Sequence, residues 1–372
     1  MLIIHLRRLL RHPFHFYLEE GTRKLIVSRI KDYKNVRIDK QTIKDFLEGK
    51  TKHGLKFINH KTLIKLLRYS NLIPEDIEQS VRYVKRGWSN RELKVKLPIN
   101  AGPELALLIA KTMGDGSILS DFRFSYTNSN YDLIKEVISY VNKAVGKTKP
   151  YIEFRKKKGN CYELKFPSVV GYILKLAGAP QSYKILTKFD VPMWIKFGNK
   201  EIKSKFIRGI FDDEACVNQS KKSRRIIFAM CKLKKYKNSL KKFLNSIRIL
   251  LREFNINSSP INIQEFYKDR VMLRFTIYRK INFDNFIKEI KLSHLEKRNR
   301  LNKISKSYKD IHETKNTILD IIKNSQEFLK ISKISKITGI KYDTIEYNLL
   351  NLYNEGSIDR TKIKNYWVWF VK

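Results

Sequence analysis

The sequence has few cysteines, few acidic residues and no long apolar run. Its 372 residues include three cysteines, Cys161, Cys216 and Cys231, with no Cys-x-x-Cys spacing and no histidine pair nearby. This pattern excludes an obvious zinc site and fits a reducing cell interior. No apolar run reaches the roughly 18 residues that a membrane-spanning helix needs, so we expect no membrane association.

Histidine is also scarce, and the start of the chain carries no leader pattern. The seven histidines are scattered, so no histidine-rich nuclease motif is present. The basic, amphipathic segment MLIIHLRRLLRH lacks a small-residue cleavage site, and we interpret it as part of the fold rather than a signal. We therefore expect an intracellular protein, in the cytoplasm or nucleoid.

Positive charge exceeds negative charge by a wide margin. Lysine and arginine number 77 and aspartate and glutamate 36, which gives a formal net charge of +41. Solubility requires far less, so the excess points to a polyanionic partner such as nucleic acid. The alternative is a merely basic protein from a lysine-rich proteome, because abundant Lys, Ile and Asn suggest an AT-rich genome.

Two short apolar segments each end abruptly in acidic residues. They are residues 105–116, LALLIAKTMGDG, and residues 206–215, FIRGIFDDEA. Pro103 predicts a helix start before the first segment, because its fixed φ and missing N–H cost nothing at the first helical position. Asn199 is a good N-cap for a second helix. The sequence thus predicts two helices that finish at Asp115 and Glu214.

Small residues line one face of each predicted helix. Ala106, Ala110 and Gly114 lie four residues apart, and Gly209 has the position in the second segment that Ala110 has in the first. Asp115 lies five residues after Ala110, just as Glu214 lies five after Gly209. Small residues at this spacing let two helices touch backbone to backbone, which would bring both acidic ends together.

Two such helices, each followed by β-rich sequence, resemble the paired motifs of monomeric LAGLIDADG homing endonucleases. The resemblance covers residues 99–308. It implies that Asp115 and Glu214 bind Mg²⁺ or Mn²⁺ and are catalytic, and that the backbone carbonyls of Gly114 and Asp213 complete the metal site. The spacing from Gly209, which equals that from Ala110 to Asp115, favours Glu214 over Asp213 as the second acid.

Two departures from the family pattern concern the small residues. Ala110 stands where the family usually has glycine, and Ala215 replaces the glycine that normally follows the second acid. Alanine adds only a methyl group, so we expect the helix contact to survive.

The order of the remaining elements predicts an α+β fold with an internal repeat. Each half reads as helix, two strands, helix, two strands, helix, which resembles the family's αββαββα repeat. The resemblance implies two pseudo-symmetric repeats forming a curved antiparallel β-saddle. We predict a helical, helix-turn-helix-like region at 1–98, repeats at 99–198 and 199–308, and a winged-helix-like domain at 309–372.

Basic residues on the predicted strands indicate a DNA-binding surface. In segments such as RFTIYR at 274–279 they alternate with apolar residues, which puts the two kinds on opposite faces of a sheet. A curved sheet with a basic outer face can lie along the major groove of double-stranded DNA. The alternative for any single run is an ordinary solvated face. The predicted DNA-binding residues are Arg123, Arg155, Lys157, Lys222, Arg224, Arg225, Arg274, Arg279 and Lys341.

The segment between the repeats resembles the family linker that carries an active-site lysine a few residues before proline. Lys188 matches that place best, and Lys184 is the neighbouring candidate. Lys297 occupies the corresponding place after the second repeat. A surface salt bridge is the alternative role for each of these lysines.

Both flanking regions carry patterns of DNA-binding modules. Near the amino end, the helix at 41–48 could enter the major groove, although a plain helical scaffold fits as well. After residue 308, three helix signals and a terminal hairpin resemble a winged helix, with 341–348 facing the groove. A small helical dimerisation or packing module is the alternative.

Taken together, the resemblance implies a monomeric, pseudo-two-fold enzyme for intron homing that cuts both strands of DNA. Paired divalent ions held by carboxylates meet the needs of phosphodiester hydrolysis. As the family implies, cleavage across the minor groove would leave 3′ overhangs. The alternative is a transcription regulator or an intron RNA maturase built on the same fold, since such proteins often lose their acids.

Overall fold

A computed structural model describes residues 2–30, 37–51, 54–87, 89, 91–156, 159–220, 223–266, 269–308, 311–325 and 327–371. The chain divides into two compact units, Met1–Asn302 and Lys303–Lys372. Both units mix helices with antiparallel strands. Within the described ranges, no helix is both long and apolar enough to cross a bilayer.

The amino-terminal region contains five helices and short strands. Its elements are β1 (Ile3–Ile4), α1 (Leu6–Leu9), β2 (Phe14–Leu18), α2 (Glu20–Ser28), α3 (Lys40–Glu48), β3 (Lys50–Thr51), β4 (Gly54–Leu55), β5 (Ile58–Asn59), α4 (His60–Tyr69), α5 (Pro74–Ile77), β6 (Val81–Arg86), β7 (Glu92–Val95) and β8 (Ile99–Asn100). The helix predicted at 41–48 is present as α3.

A five-stranded sheet in this region was not expected. Its order is β11-β7-β6-β2-β5, where β11 (Gly146–Lys147) comes from the following repeat. The expectation of a mostly helical region was therefore incomplete. These strands have two to six residues and pair with distant segments, so local periodicity gives them only a weak signal.

The two repeats follow the predicted order of helices and strands. The first comprises α6 (Pro103–Met113), β9 (Gly116–Ile118), β10 (Phe124–Asn128), α7 (Tyr131–Ala144), β12 (Tyr151–Arg155), β13 (Cys161–Lys165) and α8 (Ser168–Leu176), followed by the short helix α9 (Met193–Lys196). The second comprises α10 (Lys200–Glu214), β14 (Ala215–Ser220), β15 (Ser223–Leu233), α11 (Lys237–Arg252), β16 (Asn262–Phe266), β17 (Arg270–Ile277) and α12 (Lys280–Glu289).

Each repeat builds a four-stranded antiparallel sheet of the same topology. The orders are β12-β13-β10-β9 and β14-β15-β17-β16, so the second and fourth strands of each repeat are central. Corresponding registers coincide, because Gly116 pairs with Tyr126 and Ala215 pairs with Phe228. Paired residues of the two central strands therefore correspond between the sheets, as Tyr126–Leu164 does to Phe228–Phe275.

The second unit is a small helical domain with a terminal hairpin. After α13 (Leu295–Lys306), in which the unit boundary falls, come α14 (Ile311–Lys323), α15 (Ile331–Thr338), α16 (Tyr342–Asn354), β18 (Asp359–Ile363) and β19 (Tyr366–Phe370). Its core includes Ile318, Ile334, Leu349 and Trp369. Leu329 and Trp369 exchange backbone hydrogen bonds and tie the hairpin to the segment before α15.

Candidate active site at the paired helix ends

Helices α6 and α10 pack directly against each other. An added Cβ at Gly209 would lie 2.8 Å from the Ala110 Cβ and 3.0 Å from the carbonyl oxygen of Leu107. Residues Leu105–Met113 of α6 are all buried, including a lysine and a threonine. The small residues therefore let the backbones approach closely, and the two helices end side by side.

Asp115 and Glu214 stand at these two ends. Asp115 directly follows the C-cap of α6, and Glu214 is the last residue of α10. Asp115 reaches solvent, but surrounding protein and the nearby charge of Asp213 raise the pKa of its carboxyl to about 6. Burial and the charge of Asp115 raise the pKa of Glu214 to about 7. Each carboxylate is therefore costly to ionise without a cation beside it.

Lys184 is the linker lysine whose charge acts on both acids. It begins a single 3₁₀ turn, Lys184–Leu186, and its charge lowers the pKa of Asp115 and of Glu214. Burial in turn lowers the pKa of Lys184, against the charges of the acids. Lys188 is exposed on the surface, and no described contact joins it to either acid.

Two flanking contacts hold this linker in place. The Gln181 side chain donates to the carbonyls of Leu119 and Ser120, at 3.1 and 3.2 Å, in the turn between β9 and β10. Just after the 3₁₀ turn of Lys184, the Thr187 carbonyl accepts a hydrogen bond from the buried Lys232 of β15. The linker is thus fastened to both sheets around Lys184.

Lys297 binds the end of helix α10 rather than a carboxylate. Its Nζ donates to the carbonyl oxygens of Phe211, Asp212 and Asp213 in the last turn of α10, where helix carbonyls lack further N–H groups of the helix to accept from. The Phe211 carbonyl also accepts from the Ala215 N–H. The buried Asp212 side chain accepts hydrogen bonds from the backbone N–H groups of Ser293 and His294. The start of α13 is thus attached to the end of α10, and the Lys297 charge also lowers the pKa of Glu214.

A buried ion pair crosses the helix interface beneath Asp115. Lys111 Nζ and Asp213 Oδ1 lie 2.7 Å apart, and neither side chain is exposed. The Tyr126 hydroxyl donates to the same oxygen at 2.8 Å, and the Asp115 backbone N–H donates to Asp213 Oδ2 at 3.1 Å. Gly114 has to be glycine here, because its Cβ would lie 2.5 Å from Asp213 Oδ2.

Sequence reasoning did not identify this ion pair. Burial alone would lower the pKa of Lys111, but the charges of Asp213 and Asp212 outweigh it and raise that pKa. The sequence signal for a buried ion pair was the lysine, Lys111, within the mainly apolar helical segment 105–113. Also missed was Asn128, whose Nδ2 donates to Asp115 Oδ2 at 2.8 Å and orients that carboxyl.

The donor set fits a small divalent cation. The described residues contain no group of three or more His, Cys, Asp or Glu side chains that could hold a metal ion. Mg²⁺ requires no such group, since it binds through one or two carboxylates and keeps several waters. Asp115 and Glu214 supply two carboxylates. The carbonyls of Gly114 and Asp213 lie in the same helix ends, and that of Asp213 accepts from Lys297 at 3.4 Å.

The predicted DNA-binding residues differ in their surroundings. Arg155 of β12 is paired with Glu163 and lies 3.5 Å from Glu153, and Arg123 lies 2.6 Å from Asp121. These arginines are therefore partly neutralised within the protein.

The remaining predicted contacts lie mostly in the second repeat. Arg225 of β15 and Arg274 of β17 line a groove on the second sheet, and among the side chains that the structure describes neither has a carboxylate partner. Arg224, Arg279 and Lys341 are exposed. Lys157 and Lys222 lie outside the described residues.

The second repeat matches a known family of domains. Residues 201–291 fit the family model of the LAGLIDADG-like domain. The chain contains a LAGLIDADG-like domain. The matched range begins at the second residue of α10 and ends just after α12, so it holds Glu214 and the whole sheet of the second repeat.

Solved structures give weaker likenesses. The homing endonuclease I-DmoI in complex with DNA and Mn is 17% identical, covers 52% of this chain and 98% of its own, and has a TM-score of 0.35. Full-length DUF199/WhiA from Thermatoga maritima is 12% identical, covers 69% of this chain and 92% of its own, and also has a TM-score of 0.35. Scores this low establish no shared activity. No curated protein sequence matches the chain.

Proposed function

We propose that this protein is a site-specific double-strand DNA endonuclease, a homing endonuclease that hydrolyses one phosphodiester bond in each strand. The observation that carries the proposal is the pair of acids, Asp115 and Glu214, at the adjoining ends of two packed helices. Burial and mutual repulsion raise both pKa values into the range of 6 to 7. A structural pair of surface acids would not need such surroundings.

Asp115 and Glu214 would hold Mg²⁺ or Mn²⁺, which supplies an activated water and stabilises the charge on the attacked phosphate and leaving oxygen. The protein contributes fixed geometry around these two carboxylates. Asn128 orients the Asp115 carboxyl, and the Asp213 side chain holds the Asp115 backbone.

Lys184 is the basic residue that best suits contact with a scissile phosphate. It carries its charge beside both acids, on a linker fastened to both sheets. A positioned cation stabilises the charge that develops in the transition state. Lys297 would act indirectly, by holding the end of α10 and therefore Glu214. Lys188 stays a weaker candidate because it is exposed.

The two four-stranded sheets would form a curved saddle along the major groove, with the helix pair facing the minor groove. Arg225 and Arg274 are the strongest candidates for contacts to phosphates or guanine edges, because their charges are unpaired within the described residues. Helix α3 and the second unit would add further DNA contacts, in the manner of helix-turn-helix and winged-helix modules. The chain would act as a monomer and leave 3′ overhangs.

A cleavage assay separates this proposal from a DNA-binding regulator or an RNA maturase on the same fold. The purified chain is incubated with a library of genomic fragments and Mg²⁺, and the cut ends are sequenced. We expect one recurrent site with staggered breaks in both strands. Asp115→Asn and Glu214→Gln should each abolish cleavage yet keep DNA affinity, because neither residue lies on a sheet.

The matched control for these variants is Asp121→Asn. Asp121 is a carboxylate of the same repeat, but it lies in the β9–β10 turn and pairs with Arg123. The Asp121→Asn variant should cleave DNA like the unaltered chain. Retained cleavage in Asp115→Asn would remove Asp115 from the site, and specific binding without any cutting would favour the regulator.

A further inference from the structure

The second unit contains a cavity that the proposed nuclease site does not use. It has a volume of about 590 Å³, within the range of small-ligand pockets. The start of α15, one face of α16 and the hairpin β18–β19 enclose it. Both hairpin strands and the α16 helix contribute side chains, so the cavity belongs to the folded unit.

Aromatic side chains form much of its wall. Tyr366 and Trp367 are 58% and 48% exposed on the paired strand β19. Trp369 lies on the same strand and is 2% exposed. Its indole Nε1 is buried and has no hydrogen-bond acceptor among the described residues. A buried N–H without an acceptor is costly.

Cations sit on the faces of these aromatic rings. Lys330 Nζ lies 4.0 Å from the Tyr366 ring centre, and the Arg360 guanidinium lies 4.4 Å from that of Trp367. Both line the cavity. Rings flanked by cations match an anionic, aromatic ligand, because the rings stack on its flat part and the cations pair with its charge.

The acidic residues of α16 narrow the choice of ligand. Asp343 and Glu346 are exposed on the helix beside the cavity, and Glu346 lines it. Acids beside the cavity disfavour a duplex inside it, because a duplex presents a continuous double row of phosphates. Duplex contacts of the second unit would therefore lie outside the cavity. A carboxylate can instead accept a hydrogen bond from an amino group on the edge of a base, or from the ring N–H of thymine or uracil. In a duplex that base is stacked on both sides, so its faces are not available to an aromatic side chain.

We propose that this cavity binds one unstacked base of a single-stranded nucleic acid, with Tyr366 and Trp367 as stacking faces. Lys330 and Arg360 pair with the flanking phosphates, and Glu346 accepts from the edge of the base. The site is independent of the nuclease centre, since all of its residues lie in the second unit. Stacking of this kind tolerates different bases, so the cavity recognises the single-stranded state rather than a sequence.

Fluorescence anisotropy of the full chain in EDTA tests the proposal without interference from cleavage. The probes are oligo(dT), oligo(rU) and a duplex, each about 12 nucleotides long, which is within the site sizes of single-strand binding modules. Trp367→Ala should weaken binding of the single strands by roughly tenfold, since one stacking contact is removed. Duplex affinity should stay the same. Trp367→Phe keeps a stacking face and should restore most of the binding.

The control is Tyr347→Ala, which removes an aromatic side chain that is 63% exposed on α16 but does not line the cavity. It should bind all three probes like the unaltered chain. A preference for oligo(dT) or oligo(rU) would identify the strand as DNA or RNA, and either supports the cavity. Unchanged single-strand binding by Trp367→Ala would overturn the proposal, as would an equal loss for the duplex.

Discussion

The two repeats share a fold but differ in chemistry at corresponding positions. Both place a helix end against the first two strands of a four-stranded sheet, and both sheets have the same strand order. Apolar positions of the buried faces correspond: Leu164 and Phe275 are counterparts, and both are buried. The repeats diverge where a side chain is polar. The apolar pattern therefore maintains the shared fold, and the polar positions are free to specialise.

On the helix side, only the first repeat surrounds its acid with hydrogen-bond donors. Tyr126 donates to Asp213 and Asn128 donates to Asp115. Their counterparts by register are Phe228 and Met230, neither of which can donate. The first acid is therefore held from several directions, whereas Glu214 depends on Lys184 and on Lys297 at its helix end.

On the outer side, the first sheet is neutralised and the second is basic. Glu163 of the first sheet lies opposite Glu153 on the neighbouring strand. Its counterpart in the second sheet, Arg274, lies opposite Asn262. Lys165 lies 3.0 Å from Glu163, so acidic and basic side chains of the first sheet neutralise one another. We expect the second sheet to supply more phosphate contacts. The first sheet is better suited to amino groups at base edges.

The largest effect is expected where the repeats touch. Gly209→Leu places a large side chain in a space where even a Cβ lies 2.8 Å from Ala110. Overpacking of this kind costs about 1 to 3 kcal/mol or more, and it should also separate the two acidic helix ends. Urea unfolding and Mn²⁺ titration by calorimetry measure the two effects.

Gly21→Ala is the matched control for this variant. Gly21 also lies in a helix, α2, but no atom is within 4 Å of an added Cβ. Alanine there should stabilise the helix by roughly 0.5 to 1 kcal/mol. If Gly209→Leu unfolds and binds metal like the unaltered chain, the two repeats do not share a close helix interface.

Metal affinity should depend strongly on pH between 5 and 8. The pKa values of Asp115 and Glu214 are raised to about 6 and about 7, so a cation must displace protons as pH falls through this window. Each carboxyl that has to lose a proton weakens the metal affinity by about tenfold for every pH unit below the pKa of that carboxyl. Because the folded state binds these protons more tightly than the unfolded state, metal-free stability should decline as pH rises from about 4 to 7.

Glu214→Gln sharpens the comparison between the two acids. The change removes the Glu214 carboxyl and leaves that of Asp115. The variant should therefore release one proton fewer when it binds the metal ion. Calorimetry of Mn²⁺ binding in buffers of different ionisation enthalpy counts the protons released. A metal affinity that is independent of pH in the unaltered chain would show that neither acid binds the ion.

The paired helices and their acids could be predicted because the evidence is local. The spacing of Ala110 to Asp115 equals that of Gly209 to Glu214, and helical geometry turns this equality into a shared helix face. The order of helices and strands along each repeat could be predicted in the same way, since alternation and turn residues are short-range signals.

The ion pair between Lys111 and Asp213 joins residues 102 positions apart, and no repeated spacing in the sequence links them as one links the two acids. Its formation depends on how the helices rotate against each other, which sequence periodicity does not fix to the level of one side chain. The same limit explains the linker lysines. Lys184 and Lys188 are one short turn apart, and only the fastening by Gln181 and Lys232 directs Lys184 to the acids.

Tyr126→Phe makes the first repeat resemble the second at the buried face. The change removes a hydroxyl that donates to the fully buried Asp213 carboxylate, a kind of hydrogen bond worth about 1.5 to 3 kcal/mol. Urea unfolding should reveal a loss of that size. The reciprocal change, Phe228→Tyr, buries a hydroxyl against Phe211 and Phe275, so it should destabilise as well. If either exchange is neutral, the two faces are chemically interchangeable.

The smallest effect is expected from charge changes on the outer faces. Glu163→Gln releases Arg155 and Lys165 from their shared carboxylate, so DNA affinity should rise a few-fold and the salt dependence should become steeper. Arg274→Gln, at the corresponding position of the second sheet, should weaken binding and reduce the slope of log affinity on log salt by about 0.9 if it contacts one phosphate. Binding measured at several salt concentrations separates the two outcomes. If both variants change the slope in the same direction, the two sheets do not differ in how they contact DNA, and the division between a neutral and a basic half would have to be abandoned.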